Sequence, residues 1–228
     1  MTSETAPLIL PVGGHQEPRP RMRGWLHFYA FGTAIVCGIV LCGVALTRPG
    51  WTPFLACVVY SITVCGLFGI SALYHRRAWG PRGWALMRRL DHSMIFVFIA
   101  GTYTPFCLLL LPERTATVLL TIVWVGASVG VTVKMIWPGA PKWFGVPLYI
   151  GLGWAAVGVL PDILAAGGIA AVVLVAAGGL AYSMGALFYA LEWPNPWPTT
   201  FGHHEFFHAC TLAAALCHHI AIYLALFT

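Results

Sequence analysis

Charge is what this sequence has least of. Only 8% of its 228 residues are Asp, Glu, Lys or Arg, against about a quarter in a soluble domain. Acidic residues number seven in the whole chain. No stretch is polar enough for long enough to form a separate soluble domain, and no internal repeat is evident. The start lacks the basic, apolar and small-residue order of a secretory signal. None of the seven cysteines has the C-x-x-C spacing of a metal site, and all fall inside apolar runs. They read as small buried residues and not as a disulfide framework. The net charge of +5 is not gathered into a nucleic-acid-binding face, so no nucleic-acid partner is expected.

What remains is apolar: 59% of the residues are hydrophobic and the mean hydropathy is +0.82. A membrane helix needs roughly 20 apolar residues. Seven such spans are predicted, over about 25–46, 52–75, 91–111, 115–136, 144–162, 168–190 and 204–227. Breaks are expected at Arg48-Pro49-Gly50, at the basic stretch 76–90, at Pro112-Glu113-Arg114, from Trp137 to Lys142, near Asp162–Gly168, and from Trp193 to Thr200. Residues 1–22, with four prolines and no apolar period, read as a disordered cytoplasmic tail ahead of a membrane domain over 23–228. The fold class is all-α, a polytopic seven-helix bundle.

Lys and Arg orient it. With the N-terminus in the cytoplasm, ten of the twelve basic residues fall inside and only Arg48 and Arg114 outside. Seven spans then put the C-terminus outside. The expected location is the cell's inner (plasma) membrane, crossed many times. Trp25, Trp51, Trp137, Trp143 and Trp193 lie near the predicted boundaries, as interfacial aromatics do. Pro105 removes one backbone hydrogen bond from the third span and is expected to kink it, eased by Gly101 and Thr102.

Ionisable residues inside membrane spans are costly and usually functional or paired. His204 and His208 stand four apart in "HEFFH", on one helical face, where both can hold one metal ion. The same letters form H-E-x-x-H, the short pattern of zinc proteases, in which the glutamate is general base. The bland alternative is a pair of interfacial histidines bonded to loop carbonyls. In "SALYH", Ser71 and His75 are again four apart, so His75 offers a third imidazole and Ser71 a hydrogen-bonding neighbour. Asp91 either pairs with Arg88 or Arg89 or orients a water at the metal. The charge rule and the ligand positions are separate features, and both place His75, Asp91, His204 and His208 near the inner leaflet. Three imidazoles plus water is the open coordination of catalytic zinc.

The other histidines read differently. His92 points about 100° away from Asp91 and reads as packing or support. His203 faces away from His204. His219 lies roughly 16 Å along the helix from His208 and cannot share its metal. With His218 it reads as an interhelical hydrogen-bonding residue. His27 and His15 have no evident partner. Glu205 reads as a first-turn residue at the cytoplasmic surface, stabilised by the helix dipole.

Together, "SALYH", "LDHSMIFVFIAGTYTPF" (90–106), "HEFFH" and the entry "RMRGWLHFYAF" (21–31) resemble the hemolysin III family, the bacterial branch of the adiponectin and progestin receptor superfamily. The resemblance covers about residues 21–227. It implies a seven-helix bundle with Zn²⁺ near the cytoplasmic face, its S-x-x-x-H matching Ser71 and His75, its aspartate Asp91, and its H-x-x-x-H matching His204 and His208. It further implies kinship with membrane ceramidases, which cleave a lipid amide with zinc-activated water, and with founding members described as pore-forming hemolysins. No large N-terminal domain like that of the receptors is present in this sequence.

Three functions follow as expectations. The first is a zinc-dependent intramembrane hydrolase of lipid amides or esters. His75, His204 and His208 would hold the metal, Asp91 would take the water's proton, and Ser71 would hold the water or the oxyanion. Its partners are the bilayer and a lipid substrate. The second is a non-enzymatic pore, channel or metal-stabilised sensor. The third is an intramembrane zinc protease, although the third histidine of the extended H-E-x-x-H-x-x-G-x-x-H pattern is absent.

Overall fold

A computed structural model describes residues 20–228, and every described element is helical apart from one isolated bridge, Trp197 to Phe201. The helices are α1 (Trp25–Ala45), α2 (Thr52–Arg76), α3 (Pro81–Leu110), α4 (Glu113–Ile136), α5 (Lys142–Trp154), α6 (Leu160–Leu191) and α7 (His203–Ala225), with a 3-10 turn over Ala155–Val159. Six helical segments are long and apolar enough to cross a membrane, one of them the 50-residue run Lys142–Leu191 that comprises α5, the 3-10 turn and α6. The sequence predicts seven spans, and the difference lies wholly in that run.

The surface explains the composition. Ile39, Ile62, Ile136 and Ile169 are each more than 65% exposed, and apolar side chains such as Val118, Ile122, Val125 and Val129 face outward along a whole helix. No monomer in water leaves apolar area of this extent uncovered, so the solvent is a bilayer. The interior is lined by small residues. On α1 the buried positions are His27, Ala30, Ala34, Gly38, Leu41 and Ala45, one stripe at helical spacing. Small stripes let helix backbones approach closely where no hydrophobic effect drives them together. Of the five tryptophans expected at the interfaces, Trp51, Trp137, Trp143 and Trp193 are more than half exposed, while Trp25 is half-buried beneath Arg76. All seven cysteines are free.

Neighbouring helices alternate in direction. Gly38 of α1 sits against Ser61 of α2, and Thr63 of α2 against Gly101 of α3. Phe96 of α3 packs on Gly130 of α4, and Trp124 of α4 donates to Thr104 of α3 at 3.2 Å. α7 closes the bundle beside α1 and runs parallel to it. Arg23 pairs with Glu205 at their starts, and Arg48 lies over the Phe227 ring, 3.9 Å from its centroid, at their ends.

Several boundaries differ from expectation. The basic stretch 76–90 is mostly helix: Pro81, whose missing N–H costs nothing at a helix start, opens α3 ten residues before Asp91. α3 continues through Pro105, whose neighbours Thr102 and Thr104 bond back to Phe98 and Ala100. The 142–191 run is interrupted twice. At the 3-10 turn the Tyr103 hydroxyl donates to the carbonyls of Leu152 and Gly153 and accepts from the Ala156 N–H, satisfying backbone that the helix break frees. Gly168 has φ 74° and ψ −178°, a conformation only glycine adopts readily. The run ends where it began: Lys142 Nζ donates to the Tyr189 carbonyl at 3.1 Å and pairs with Glu192.

Of the expected tail, residues 1–19, with His15, lie outside the described residues. Its last residues are tied down: Arg21 and Met22 donate backbone hydrogen bonds to Thr199 and Thr200, in the loop before α7.

Candidate metal centre

α7 is started by a single capping bond. The Glu205 carboxylate accepts from the Gly202 N–H at 2.9 Å and satisfies a donor the helix cannot. The same carboxylate pairs with Arg23 and is 1% exposed. Glu205 is thus a first-turn residue, as expected, yet buried and not at an open surface. This fixed start sets His204 and His208 one turn apart on the face turned toward α2, where His75 occupies the last turn.

One potential ligand atom from each of His75, His204 and His208 lies within 4.8 Å of the others. His204 Nε2 and His75 Nε2 face each other at 3.2 Å. Two ligands at zinc–nitrogen bond lengths of about 2.0–2.1 Å in a tetrahedron stand roughly 3.4 Å apart, so this pair fits an ion as well as it fits an N–H···N bond. His75 and His208 are buried and His204 is half-buried. The donors are three imidazoles with no thiolate, a set suited to zinc and other late divalent ions. These residues fit a metal ion.

Ser71, one turn before His75, is 3% exposed. Asp91 lies 3.4 Å from His92 Nδ1 and interacts with Ser71 and with His75. It makes no ion pair with Arg88 or Arg89 among the described residues; Arg88 lies over Trp84 and the buried Arg89 Nε has no hydrogen-bond partner. His92 Nδ1 is 2.8 Å from the Arg88 carbonyl, one turn earlier on the same helix. His218 bonds to the Val175 carbonyl of α6 at 3.3 Å, an interhelical bond as expected, while His219 packs against Tyr60.

Ser71, Asp91, His204 and His208 line one end of a cavity of about 350 Å³. The rest of its wall is mainly apolar, with Phe98, Phe106, Leu119 and Leu180 among the lining residues. Asp91 and Cys107 of α3 both line it, so it runs along about 24 Å of that helix.

Sequence reasoning missed His27. Its ring stacks on His208 with centroids 3.7 Å apart and planes 14° apart, and it lines the same cavity. The available signal was its register: His27 heads the stripe of small residues Ala30, Ala34 and Gly38. The Arg23–Glu205 pair, 182 residues apart, had no local signal.

The family model described as "Haemolysin-III related" matches residues 15–219. "Hemolysin-3" of Bacillus cereus is 35% identical over 141 residues, covering 60% of this chain and 63% of that protein. "Hemolysin-3 homolog" of Bacillus subtilis (strain 168) is 32% identical over 130 residues, 57% and 58% of the two chains. "Monocyte to macrophage differentiation factor" of Homo sapiens is 23% identical over 172 residues, 72% and 68%. The aligned part spans less than two thirds of either Bacillus protein's length. With a family match over most of its length, on a helical membrane scaffold bearing a histidine triad, this chain belongs to the hemolysin III family.

Proposed function

We propose that the protein is a zinc-dependent intramembrane hydrolase of lipid amides or esters. The observation that carries this reading is the position of the site: His204 and His208 stand with Ser71 and Asp91 at one end of an apolar cavity long enough for an acyl chain, and His75 converges on the same two histidines. His75, His204 and His208 hold the ion, which when bound lowers the pKa of water and polarises a carbonyl. Asp91 receives the water's proton on its carboxylate and returns it to the leaving group. The Ser71 hydroxyl donates to the oxygen on which charge develops. The apolar wall takes the acyl chain and keeps bulk water from the reacting bond. Glu205 is committed to Arg23 and Gly202, which disfavours the protease reading of H-E-x-x-H.

Seven crossings fit this scaffold better than six. A 50-residue helix is about 75 Å long, more than twice the apolar thickness. The run also starts and ends at one place, through Lys142, Tyr189 and Glu192. Parity agrees: α1 and α7 run parallel, which needs an odd number of crossings. The positive-inside balance then puts the N-terminus and the triad at the cytoplasmic side of the cell membrane and the C-terminus outside.

The test is metal analysis joined to turnover. Purified protein should hold about one zinc per chain and cleave N-acyl or O-acyl lipids in a chelator-sensitive way. Full zinc with no cleavage of either class by active-lipid screening would overturn the hydrolase reading. The names of the Bacillus relatives favour a second reading, a membrane pore. The apolar lining of the cavity argues against conduction, and ion flux through reconstituted vesicles would decide for it.

A further inference from the structure

α1 gives no ligand to the triad, yet the chain at its start contacts both helices that do. Arg23 pairs with Glu205, which starts the ligand helix α7. Gly24 lies against His75, so close that a Cβ there would be 2.8 Å from the His75 Cβ. His27, one turn on, covers the face of His208.

His27 is not a fourth ligand. His208 offers its nitrogen lone pairs in the plane of its own ring. The His27 ring is stacked on it, only 14° from parallel, so the His27 lone pairs would run alongside those of His208 and not converge with them on one ion. The group of mutually close ligand atoms contains His75, His204 and His208 without it. Both His27 nitrogens are buried without a hydrogen bond of normal geometry, and the contact the ring makes with His208 is through its face.

We infer that His27 is a positioning residue for the metal centre: a neutral aromatic face that holds His208 in its ligating orientation and leaves the fourth coordination position open. An imidazole bound to a divalent cation is electron-poor, and an aromatic face stacked on it is favoured as rings facing cations are. Phe68 also packs against His27, with centroids 5.0 Å apart and planes tilted by 57°, so the brace is itself in contact with α2. The inference rests on the triad's binding a metal, and deepens that reading by adding a helix to the centre.

The test separates a ring face from mere bulk. Full-length apo protein in detergent is titrated with Zn²⁺ against a competing chelator, and with Co²⁺ while its visible spectrum reports coordination geometry. His27→Leu fills the space without an aromatic face and should bind Zn²⁺ about tenfold more weakly, with an altered Co²⁺ spectrum. Its apo protein should unfold at the wild-type temperature. His27→Phe keeps the face, removes the two ring nitrogens, and should stay within about threefold of wild type with the wild-type spectrum. A leucine variant with wild-type affinity and spectrum overturns the brace. If leucine prevents folding, phenylalanine decides: its losing zinc tenfold also overturns it. Wild-type protein that binds no zinc overturns the metal centre itself, and the brace with it.

Discussion

Gly24→Ala would show how far the metal centre depends on α1. Two costs arise there. The backbone at Gly24 has φ 78°, where a Cβ costs about 1–2 kcal/mol. The new Cβ would also meet the His75 Cβ at 2.8 Å and the Arg76 Cγ at 2.9 Å, with overpacking costing typically about 1–3 kcal/mol. Gly50 supplies an internal control, since its φ is 77° and nothing lies within 4 Å of its would-be Cβ. Gly50→Ala therefore carries the strain alone. The assay is thermal unfolding in detergent together with zinc affinity. Gly50→Ala should lose about 1–2 kcal/mol and keep its zinc. Gly24→Ala should lose about 1–3 kcal/mol more, and should bind zinc on the order of 10–100-fold more weakly because His75 is pushed from its partners. Equal effects from the two substitutions would refute the claim that Gly24 seats His75.

Alanine at His75, His204 or His208 should each sharply lower the zinc content measured by elemental analysis; full zinc in any one would remove that residue from the ligand set. Asp91→Asn should abolish hydrolysis while retaining zinc, whereas Glu205→Gln should keep most activity and lose roughly 1–3 kcal/mol of stability through its buried partners; a dead Glu205 variant beside an active Asp91 variant would reverse the two roles. Tyr103→Phe should destabilise the bundle by about 1–3 kcal/mol, read from the thermal midpoint, because it strips hydrogen bonds from three backbone groups at membrane depth. Topology reporters after Thr228 and between residues 77 and 80 should report opposite sides of the membrane; the same side for both would mean an even number of crossings.

The triad was legible in the sequence because helical spacing is local information. His204 and His208, and Ser71 and His75, each share a face by arithmetic alone, and the balance of Lys and Arg brought two distant segments to one depth. Spans bounded by charge or proline, as at Arg48-Pro49-Gly50 and Pro112-Glu113-Arg114, were equally readable. The 142–191 run was half readable. The break expected near Asp162–Gly168 falls where Gly168 takes its left-handed backbone, but the interruption over Ala155–Val159 is stabilised by a tyrosine on α3, a contact that composition does not reveal. His27 was missed for a related reason. Its partner lies 181 positions away, and a lone histidine at a helix entrance looks the same whether it stacks on a ligand ring or faces lipid headgroups.

The parallel course of the first and last helices constrains how this unit can be multiplied. α1 and α7 meet start to start and end to end, so the described chain begins at one face of the bundle and leaves at the opposite face. A gene duplication joining two copies directly would insert the second upside down, with its triad at the far side of the membrane. A tandem protein with both centres on one side needs an added crossing in its linker. The same parity bars simple circular permutation, since a loop from Thr228 back to residue 20 would have to pass through the bilayer.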